Sequence, residues 1–335
     1  MDEIKSDWVK ETQREIRSGT YKPKPRRKFS IEIDKRTKRI LAIPSTKDKI
    51  ILEAMRKILS DRFEPTFLNT SHAFRPEKRC QTALNDVKMK FGSMAWIIRA
   101  DITESMNFLS YHVLWKILAE RIHDKGFHDI YWKMVNAGYI RLGNILPSDT
   151  KFSQVFSINP LLSNIFLHKL DLWVDAYKGC FDKGTTRRQY PSYTKLTRVP
   201  GGAKEARIKG IPSRDPMDPN YRRLQYVRYA NNFLFGIIGS KKDAQTLVDL
   251  LQKFLYTQLK LTVNHENLEI FHATTTNILF LGTHIRIIPI SGYQIKRLKN
   301  GKMSRVRSRP QLRIPLKRIV LKLTKLGYLN KKRKS

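Results

Sequence analysis

Apolar residues recur at helical spacing in three segments of the chain. The first follows the possible N-caps Ser45 and Thr46 and has the apolar positions Ile50, Ile51, Ala54, Met55, Ile58 and Leu59. The second begins at Pro160, a favoured first helical residue, and has Leu161, Leu162, Ile165, Phe166, Leu170, Trp173 and Val174. The third begins at Ser240, has Asp243 in the capping-box position, and continues with Leu247, Val248, Leu251, Phe254 and Leu255. These patterns predict three amphipathic helices.

Runs of apolar residues predict strands at residues 95–102, 226–238 and 278–288. The middle run is interrupted by Ala230-Asn231-Asn232. Since asparagine tolerates the positive φ that a tight turn requires, this run predicts a β-hairpin with the asparagines in its turn.

The rest of the pattern indicates the fold class. Phe29, Ile31 and Ile33 alternate as in a half-buried strand. Residues 177–223 are polar and rich in Gly, Pro and basic side chains, which predicts a long surface insertion. Strands mixed with long helices, without strict alternation, favour an α+β fold over a doubly wound sheet.

Charge narrows the choice of partner. The 335 residues include 65 Lys and Arg against 29 Asp and Glu, a formal net charge of +36, and 41% of the residues are hydrophobic. Such a chain buries a sizeable core, but its positive excess repels itself unless a polyanion shares the surface. Nucleic acid is therefore the expected partner, and an acidic membrane face is a distant second.

Several protein classes are not expected. No apolar run approaches the roughly 20 residues of a membrane span, so no membrane interaction is predicted. The start, Met1-Asp2-Glu3-Ile4-Lys5, has neither the apolar core of a signal peptide nor the pattern of a transit peptide. Two cysteines, Cys80 and Cys180, are too few for a zinc site or a disulfide framework.

The positive charge lies in blocks. Residues 270–335 contain seventeen Lys and Arg and no Asp or Glu. A run of charges is usually solvated, which suits residues 331–334. A second block near the start is Lys22-Pro23-Lys24-Pro25-Arg26-Arg27-Lys28. A last helix is predicted, with Lys317, Arg318, Lys322 and Lys325 opposite Leu316, Ile319, Leu323 and Leu326.

Candidate chemistry begins at the end of one strand. The run Trp96-Ile97-Ile98-Arg99-Ala100-Asp101 finishes in a carboxylate, which is costly to bury without a partner, an ion or water. Taken alone, Asp101 is typical of an ion pair or a turn, and Asn231-Asn232 is typical of turn chemistry. Their functional interest comes from the order of the surrounding motifs.

Several separate motifs occur in one order along the chain. They are Tyr21-Lys22-Pro23-Lys24-Pro25-Arg26-Arg27, Arg39-Ile40-Leu41-Ala42-Ile43-Pro44, Phe63-Glu64-Pro65, Ser71-His72-Ala73-Phe74-Arg75-Pro76, Asp101-Ile102, Gln154, Pro160-Leu161-Leu162-Ser163-Asn164-Ile165, Arg222-Arg223-Leu224-Gln225-Tyr226-Val227-Arg228-Tyr229-Ala230, Phe280-Leu281-Gly282 and Leu326-Gly327-Tyr328. From about residue 5 to residue 330, this set resembles the reverse transcriptase and maturase proteins encoded by group II introns.

The resemblance implies a right-hand polymerase fingers–palm fold with a C-terminal helical thumb remnant. Residues 1–92 would form the fingers, and residues 93–290 the palm, with a basic surface insertion at about 178–222. Residues 291–335 would form a basic linker and the start of the thumb or maturase domain. Since little sequence follows that start, a full maturase domain and the family's DNA-binding and endonuclease regions are expected to be absent.

Departures from the family pattern concern the polymerase pocket. The family holds two Mg²⁺ ions with three palm carboxylates, and the sequence has Asp101, Asn231 and Asn232 at those positions. Asparagine is uncharged, whereas Mg²⁺ is normally bound through carboxylates and phosphates. The other departures from the family motifs are Ser153-Gln154-Val155, Asn159, Thr103-Glu104-Ser105-Met106-Asn107 and Asn267-Leu268. We expect an inactive polymerase with vestigial Asp101, Gln154, Asn231 and Asn232, and no cofactor. Asp101 stays a residual Mg²⁺ candidate if polymerase activity persists.

The features that the chain keeps are those that bind RNA. Lys and Arg neutralise phosphates, and aromatic side chains stack on unpaired bases. The predicted RNA-binding residues are Lys22, Lys24, Arg26, Arg27, Lys28, Arg39, Arg75, Arg222, Arg223, Arg305, Arg307, Arg309, Lys317, Arg318 and Lys322. The candidate aromatic residues are Tyr21, Phe29, Tyr190, Tyr193 and Tyr221, although local packing is the commoner role of any one of them.

The leading hypothesis is a maturase-like protein that binds structured group II intron RNA and stabilises it for splicing. A structural RNA-binding component of an organellar ribonucleoprotein, such as the ribosome, is the alternative. An active RNA-directed DNA polymerase and a decaying reading frame are further alternatives. Protein partners are not indicated. The resemblance favours an organelle-encoded protein of the mitochondrion, with the plastid as the alternative.

Overall fold

The computed structural model describes residues 6–34, 37–103, 109–137, 139–141, 144–146, 158–215, 218–288, 295–297, 303–305 and 310–328. The helices are α1 Ser6–Arg17, α2 Thr46–Phe63, α3 Cys80–Lys90, α4 Tyr111–Ala119, α5 Lys125–Asn136, α6 Asn159–Phe181, α7 Pro191–Thr197, α8 Gly202–Ile208, α9 Lys241–Leu259 and α10 Leu316–Lys325. The strands are β1 Arg26–Asp34, β2 Thr37–Ile43, β3 Trp96–Asp101, β4 Tyr139–Arg141, β5 Asn144–Leu146, β6 Arg223–Tyr229, β7 Asn232–Ile238, β8 Leu268–His272, β9 Ile278–Phe280, β10 Thr283–Ile287, β11 Ile295–Arg297, β12 Met303–Arg305 and β13 Pro310–Arg313. Helices and largely antiparallel sheets coexist without strict alternation, so the α+β prediction is confirmed.

The three predicted amphipathic helices are present, and two of them begin at the predicted caps. The Ser45 hydroxyl accepts from the Asp48 N–H at 3.2 Å at the start of α2. At the start of α9 the Asp243 carboxylate accepts from the Ser240 N–H at 2.7 Å, and the Ser240 hydroxyl accepts from the Asp243 N–H at 3.1 Å. This reciprocal pair is the predicted capping box, which satisfies backbone donors that the first helical turn leaves free.

A four-stranded sheet in the order β6-β7-β3-β8 contains the predicted strand at residues 95–102 and the predicted hairpin at residues 226–238, whereas residues 278–288 lie in a separate sheet of order β13-β10-β9. Every neighbouring pair in the β6-β7-β3-β8 sheet is antiparallel. Strand β8 is an addition to the prediction. Another difference concerns residues 278–288, where the structure has two strands, β9 and β10, joined at Leu281 and Gly282. Both joining residues have positive φ, 49° and 72°, which is the backbone that a two-residue hairpin turn requires.

The core beside this sheet is apolar and closely packed. Buried residues of α3, the sheet and the β9–β10 hairpin form one cluster, which includes Val87, Phe91, Val227, Leu234 and Phe280. Gly236 in β7 allows this packing, because a Cβ there would lie 2.7 Å from the Phe91 ring. Replacing water around such side chains by apolar neighbours is the main stabilising contribution to this part of the chain.

The chain divides into two compact units, each made of separate segments. One unit comprises Met1–Asn69, Ile102–Leu172 and Gln252–Val263. It contains a sheet in the order β2-β1-β4-β5, in which β1 and β4 are parallel. The other comprises Thr70–Asp101, Trp173–Leu251 and Asn264–Ser335, and contains the β6-β7-β3-β8 sheet. The division into fingers, palm and thumb stays a prediction.

The predicted surface insertion has regular structure. Helix α6 continues to Phe181, so the insertion begins at residue 182 rather than at about 178. It contains the short helices α7 and α8 and is closed by isolated bridges between Lys183 and Arg222 and between Gln189 and Arg214. Among the described residues, no helix has both the length and the apolar character that crossing a bilayer requires.

Candidate functional site

The predicted site residues of the sheet meet where three strands end. Asp101 is the last residue of β3, and Asn232 is the first residue of β7. The antiparallel register places Asp101 directly opposite Asn232, and Asn232 is also paired with Tyr229 of β6. All three residues are half-buried. The structure therefore brings one carboxylate and one amide together at the end of the sheet, with Asn231 next in the turn.

The turn differs from the prediction in its backbone. Ala230 has the positive φ, 52°, and Asn231 does not, so the expectation that asparagine takes this conformation is wrong. A residue with a Cβ is strained in the left-handed region, and the surrounding contacts must compensate for that strain. The Oδ1 atom of Asn231 is buried and has no hydrogen-bond partner in the part of the chain that the structure describes.

Arg228, near the end of β6 and two residues before Ala230, is fully buried. Its guanidinium donates to the Ser71 hydroxyl at 2.7 Å and to the Ala230 carbonyl at 3.3 Å. The second bond reaches the strained residue itself, so Arg228 holds the turn from inside the protein. A buried guanidinium is tolerated only when its donors have partners, which these contacts provide.

The segment around Ser71 pairs with the edge of the sheet. The Arg228 N–H donates to the Thr70 carbonyl at 2.8 Å, and the His72 N–H donates to the Arg228 carbonyl at 3.0 Å. His72 is buried, its Nδ1 lies 2.9 Å from the Thr82 hydroxyl, and its Nε2 lies 3.5 Å from the Asp86 carboxylate. Burial lowers the pKa of His72 to about 4, although Asp86 opposes the shift, so the imidazole is neutral near pH 7.

A magnesium site can be tested against these groups. Asp101 supplies one negative charge, and Asn231 and Asn232 supply carbonyl oxygens without charge. Within the described ranges there is no group of three His, Cys, Asp or Glu side chains with metal-binding geometry. Because two paired Mg²⁺ ions require several carboxylates, the described residues Asp101, Asn231 and Asn232 carry too little negative charge to fit a two-magnesium centre. Gln154, Val155 and Glu104 lie outside the described residues, and Asn267 ends a short 3₁₀ helix, His265–Asn267.

The N-terminal basic block, residues 22–28, is anchored by a buried tyrosine. Tyr21 is 2% exposed, and its hydroxyl donates to the Asp48 carboxylate at 2.6 Å. Burial and the Asp48 carboxylate raise the pKa of Tyr21. Of the two roles considered for Tyr21, the structure shows local packing, because the ring lies inside the protein and is not exposed for stacking on RNA bases. Lys22, Lys24 and Arg27 remain exposed beside it.

Other predicted RNA-binding residues are occupied by the protein itself. The Arg26 guanidinium donates to the Met134 carbonyl, and burial lowers the pKa of Arg26. Arg75 donates to the Ser71 carbonyl at 2.9 Å. Arg222 pairs with Asp243 at 3.1 Å, and Arg223 donates to the carbonyls of Lys183 and Gly184. These contacts assign the four arginines a structural role and reduce the donors that each retains for phosphate.

The predicted C-terminal helix is present as α10. Lys317, Arg318 and Lys322 are exposed on it, and so are Leu316 and Ile319 of the face predicted to be apolar. Lys28 lies in β1, Arg39 in β2 and Arg305 in β12, but the structure describes only the backbone of these three residues. Arg307 and Arg309 lie outside the described residues altogether.

Sequence reasoning missed the roles of Arg228 and His72. Both belong to motifs that carry the family resemblance, but neither was given a role of its own. The signal available was the apolar character of the strand before Arg228, which includes Leu224 and Val227. The partner of Arg228, Ser71, is 157 residues away, and no local pattern reveals such a pairing.

The site and sheet together define an α+β protein whose central strands end in one carboxylate and two amides.

Comparison with known proteins identifies the family. No protein-family model matches the chain. It is 34% identical over 341 residues to a COX1/OXI3 intron 1 protein of Saccharomyces cerevisiae, covering 98% of this chain and 41% of that protein. It is 31% identical over 324 residues to the group II intron-encoded protein LtrA of Lactococcus lactis subsp. cremoris, covering 90% and 54% respectively. Protein YkfC of Escherichia coli is 28% identical over 302 residues, covering 89% and 74%.

The names of these relatives agree with the family that the ordered motifs of the sequence indicate. The chain belongs to the group II intron-encoded reverse transcriptase/maturase family. It spans about half the length of the yeast and lactococcal relatives, 41% of one and 54% of the other.

Proposed function

We propose that the chain is a maturase-like RNA-binding protein, inactive as a polymerase, that stabilises folded group II intron RNA for splicing. Relatives encoded by group II and COX1 introns support the intron as the RNA partner. Relatives from yeast and liverwort mitochondria support a mitochondrial location. On this proposal the β6-β7-β3-β8 sheet is a palm without its metal centre, and residues 1–69 of the other unit belong to the fingers.

The pairing of Asp101 with Asn232 carries the proposal of inactivity. It supports the absence of a polymerase metal centre, because the register brings an amide to the position where a second carboxylate would share the ions. Two of three expected negative charges are missing, and no cofactor is proposed. A carbonyl oxygen alone binds Mg²⁺ too weakly to hold a pair of ions against water.

The proposed mechanism is a shift of the RNA folding equilibrium. The protein binds the folded intron more tightly than its unfolded forms, and this differential affinity raises the folded population. The RNA itself then performs the splicing chemistry. The exposed residues Lys22, Lys24 and Arg27 of the N-terminal basic block would contact phosphates, and the buried Tyr21–Asp48 pair would keep that block in place.

A splicing assay tests the proposal. The purified protein is added to a self-splicing group II intron RNA at limiting Mg²⁺, and the spliced fraction is measured over time. We expect an increase that is lost in the Lys22→Gln, Lys24→Gln, Arg27→Gln variant. The control triple, Lys57→Gln with Lys88→Gln and Lys242→Gln, removes the same charge from exposed lysines on three separate helices and should retain the increase. No increase and no RNA binding by the unaltered protein would refute the proposal.

Primer extension on the same preparations tests inactivity. We expect no extension by the unaltered protein, and none after Asn231→Asp with Asn232→Asp, because Val155 and Asn267 also depart from the family pocket. Extension by the unaltered protein that disappears in Asp101→Ala would show an active polymerase.

A further inference from the structure

The insertion at residues 182–222 is joined firmly to the sheet. Lys183 and Arg222 exchange two backbone hydrogen bonds, 3.1 and 3.2 Å long. The Asp182 carboxylate accepts from the Leu224 N–H at 2.7 Å, one residue inside the start of β6. At the start of the insertion, the carbonyls of Lys183 and Gly184 accept from the Arg223 guanidinium. A segment held in this way presents its side chains in a defined arrangement, unlike a solvated charge run.

Helices α7 and α8 form a tight hairpin within the insertion, and residues 191–209 are named the basic hairpin. Pro191 begins α7 at the position that proline favours. The helices approach closely at Gly202, where a Cβ would lie 1.8 Å from the Leu196 carbonyl oxygen. The Gly202 N–H donates to the Val199 carbonyl at 3.0 Å and closes the turn. Only glycine permits this approach.

Every acidic side chain of the insertion already has a partner. Asp182 pairs with Lys178 at 2.5 Å, Glu205 with Lys209 at 2.5 Å and Asp215 with Arg188 at 2.7 Å. Asp218 accepts from the backbone N–H groups of Arg188 and Asn220 at 2.7 and 2.9 Å, and these bonds lower the pKa of Asp218. No acid of the insertion is left to neutralise its remaining basic residues.

Three of the remaining basic residues are exposed on the basic hairpin. The insertion has ten Lys and Arg against four Asp and Glu. Lys195, Arg198 and Lys204 are exposed, and none of them forms an ion pair with a residue that the structure describes. Nearby, two guanidinium groups lie over the Tyr221 ring, that of Arg223 at 4.3 Å and that of Arg187 at 5.2 Å. Since Glu205 is already paired with Lys209, the hairpin presents the positive charges of Lys195, Arg198 and Lys204 without an acidic partner among the described residues.

We propose that the basic hairpin is a second RNA-binding surface, which contacts intron RNA phosphates through Lys195, Arg198 and Lys204. The proposal rests on the function proposed above and adds a site on different residues from the N-terminal basic block. Charge complementarity selects RNA as the occupant, because a polyanion supplies the missing counter-charges. Val199 and Ile208 are also exposed on the hairpin, at 63% and 79%, so a protein partner is the alternative that the experiment must separate.

The salt dependence of RNA affinity is the test. Binding of the group II intron RNA is measured over a range of KCl concentrations for the unaltered protein and for Lys195→Gln with Arg198→Gln and Lys204→Gln. Each neutralised phosphate contributes about 0.7–0.9 to the log–log slope, so loss of three contacts should make it less steep by about two units. The control triple at Lys57, Lys88 and Lys242 should leave the slope near that of the unaltered protein. Val199→Ser with Ile208→Ser should also leave the slope unchanged.

The possible outcomes separate the two proposals. If the unaltered protein binds intron RNA and the hairpin variant has the same slope, the basic hairpin is not an RNA surface while the proposed function stands. Equal reduction by the hairpin variant and the control triple also overturns the hairpin proposal, because it indicates general attraction. Loss of affinity in the Val199 and Ile208 variant alone would indicate an apolar contact instead. If the unaltered protein binds no intron RNA, both proposals fail.

Discussion

The sheet and the insertion belong to the same compact unit but are stabilised in different ways. Apolar side chains such as Leu234 and Phe280 fill the core beside the sheet, and its polar turn has the uncharged residues Asn231 and Asn232. The insertion has few buried apolar residues, and ion pairs and backbone bonds to Asp215 and Asp218 hold it together. The difference teaches that apolar packing stabilises the sheet, whereas the insertion uses all its acids in polar contacts and still has basic residues without an ion pair among the described residues.

The largest expected effect follows from removing a core side chain of the sheet. Leu234→Ala in β7 should lower the free energy of unfolding by about 2–5 kcal/mol, because it removes buried methyl groups and leaves a cavity. Denaturant unfolding followed by circular dichroism measures the change. Leu250→Ala, at a position 37% exposed, is the control and should cost less than about 1 kcal/mol. Equal losses in both variants would contradict the apolar account of the sheet.

An intermediate loss of stability is expected on acidification. As the pH falls, it should affect the edge of the sheet at a higher pH than the insertion. The unfolded chain binds a proton at His72 near its ordinary pKa of about 6.5, but the folded chain does so only near 4. Between these values the unfolded state holds more protons, so stability falls as the pH falls from about 6.5 to about 4. Asp218 has a lowered pKa, so its contribution is lost only at still lower pH, as the pH falls through that pKa.

Urea midpoints at about pH 7 and about pH 5 measure this dependence. His72→Gln should reduce the difference between the two midpoints, whatever its effect on the absolute stability. His128→Gln changes an exposed histidine of α5 and should leave the difference unaltered. A pH dependence that persists unchanged in His72→Gln would show that another group is responsible.

The smallest effect is expected within the insertion. Asp215→Asn weakens the ion pair in which two nitrogens of the Arg188 guanidinium contact one Asp215 carboxylate oxygen, at 2.8 and 2.7 Å. Since the Arg188 side chain is 56% exposed, solvent screens the pair, and the expected cost is about 1 kcal/mol. We expect roughly fivefold faster trypsin cleavage within residues 182–222 and an unchanged global urea midpoint. Glu205→Gln, which alters the exposed pair with Lys209, should leave the cleavage rate unchanged, and a matching acceleration would contradict a special role for Asp215.

Local sequence signals predicted the elements that depend on neighbouring residues. The Ser240–Asp243 capping box and the strand that ends at Asp101 follow from residues a few positions apart. Strand β8 was missed because Leu268-Glu269-Ile270-Phe271-His272 lacks clean alternation, and its strand state comes from pairing with β3. The positive φ is at Ala230, whose carbonyl accepts from the Arg228 guanidinium, a contact that no local pattern predicts.

Side-chain roles were harder to predict than elements, since long-range partners decide them. Tyr21 was a candidate for stacking on RNA because lysines and arginines follow it, but it packs locally, and its hydroxyl donates to Asp48 inside the unit. Arg26 was assigned to phosphate, but the carbonyl of Met134 takes its guanidinium. Lys195 and Lys204, by contrast, have no such partners among the described residues, and only the structure separates them from the basic residues already in use.

The buried guanidinium of Arg228 has a consequence for substitutions in the turn. Its bonds to the Ala230 carbonyl and the Ser71 hydroxyl involve neither asparagine side chain. Asn231→Asp with Asn232→Asp therefore changes the charge of the turn without removing either bond, so the charge can be varied while this internal support stays in place.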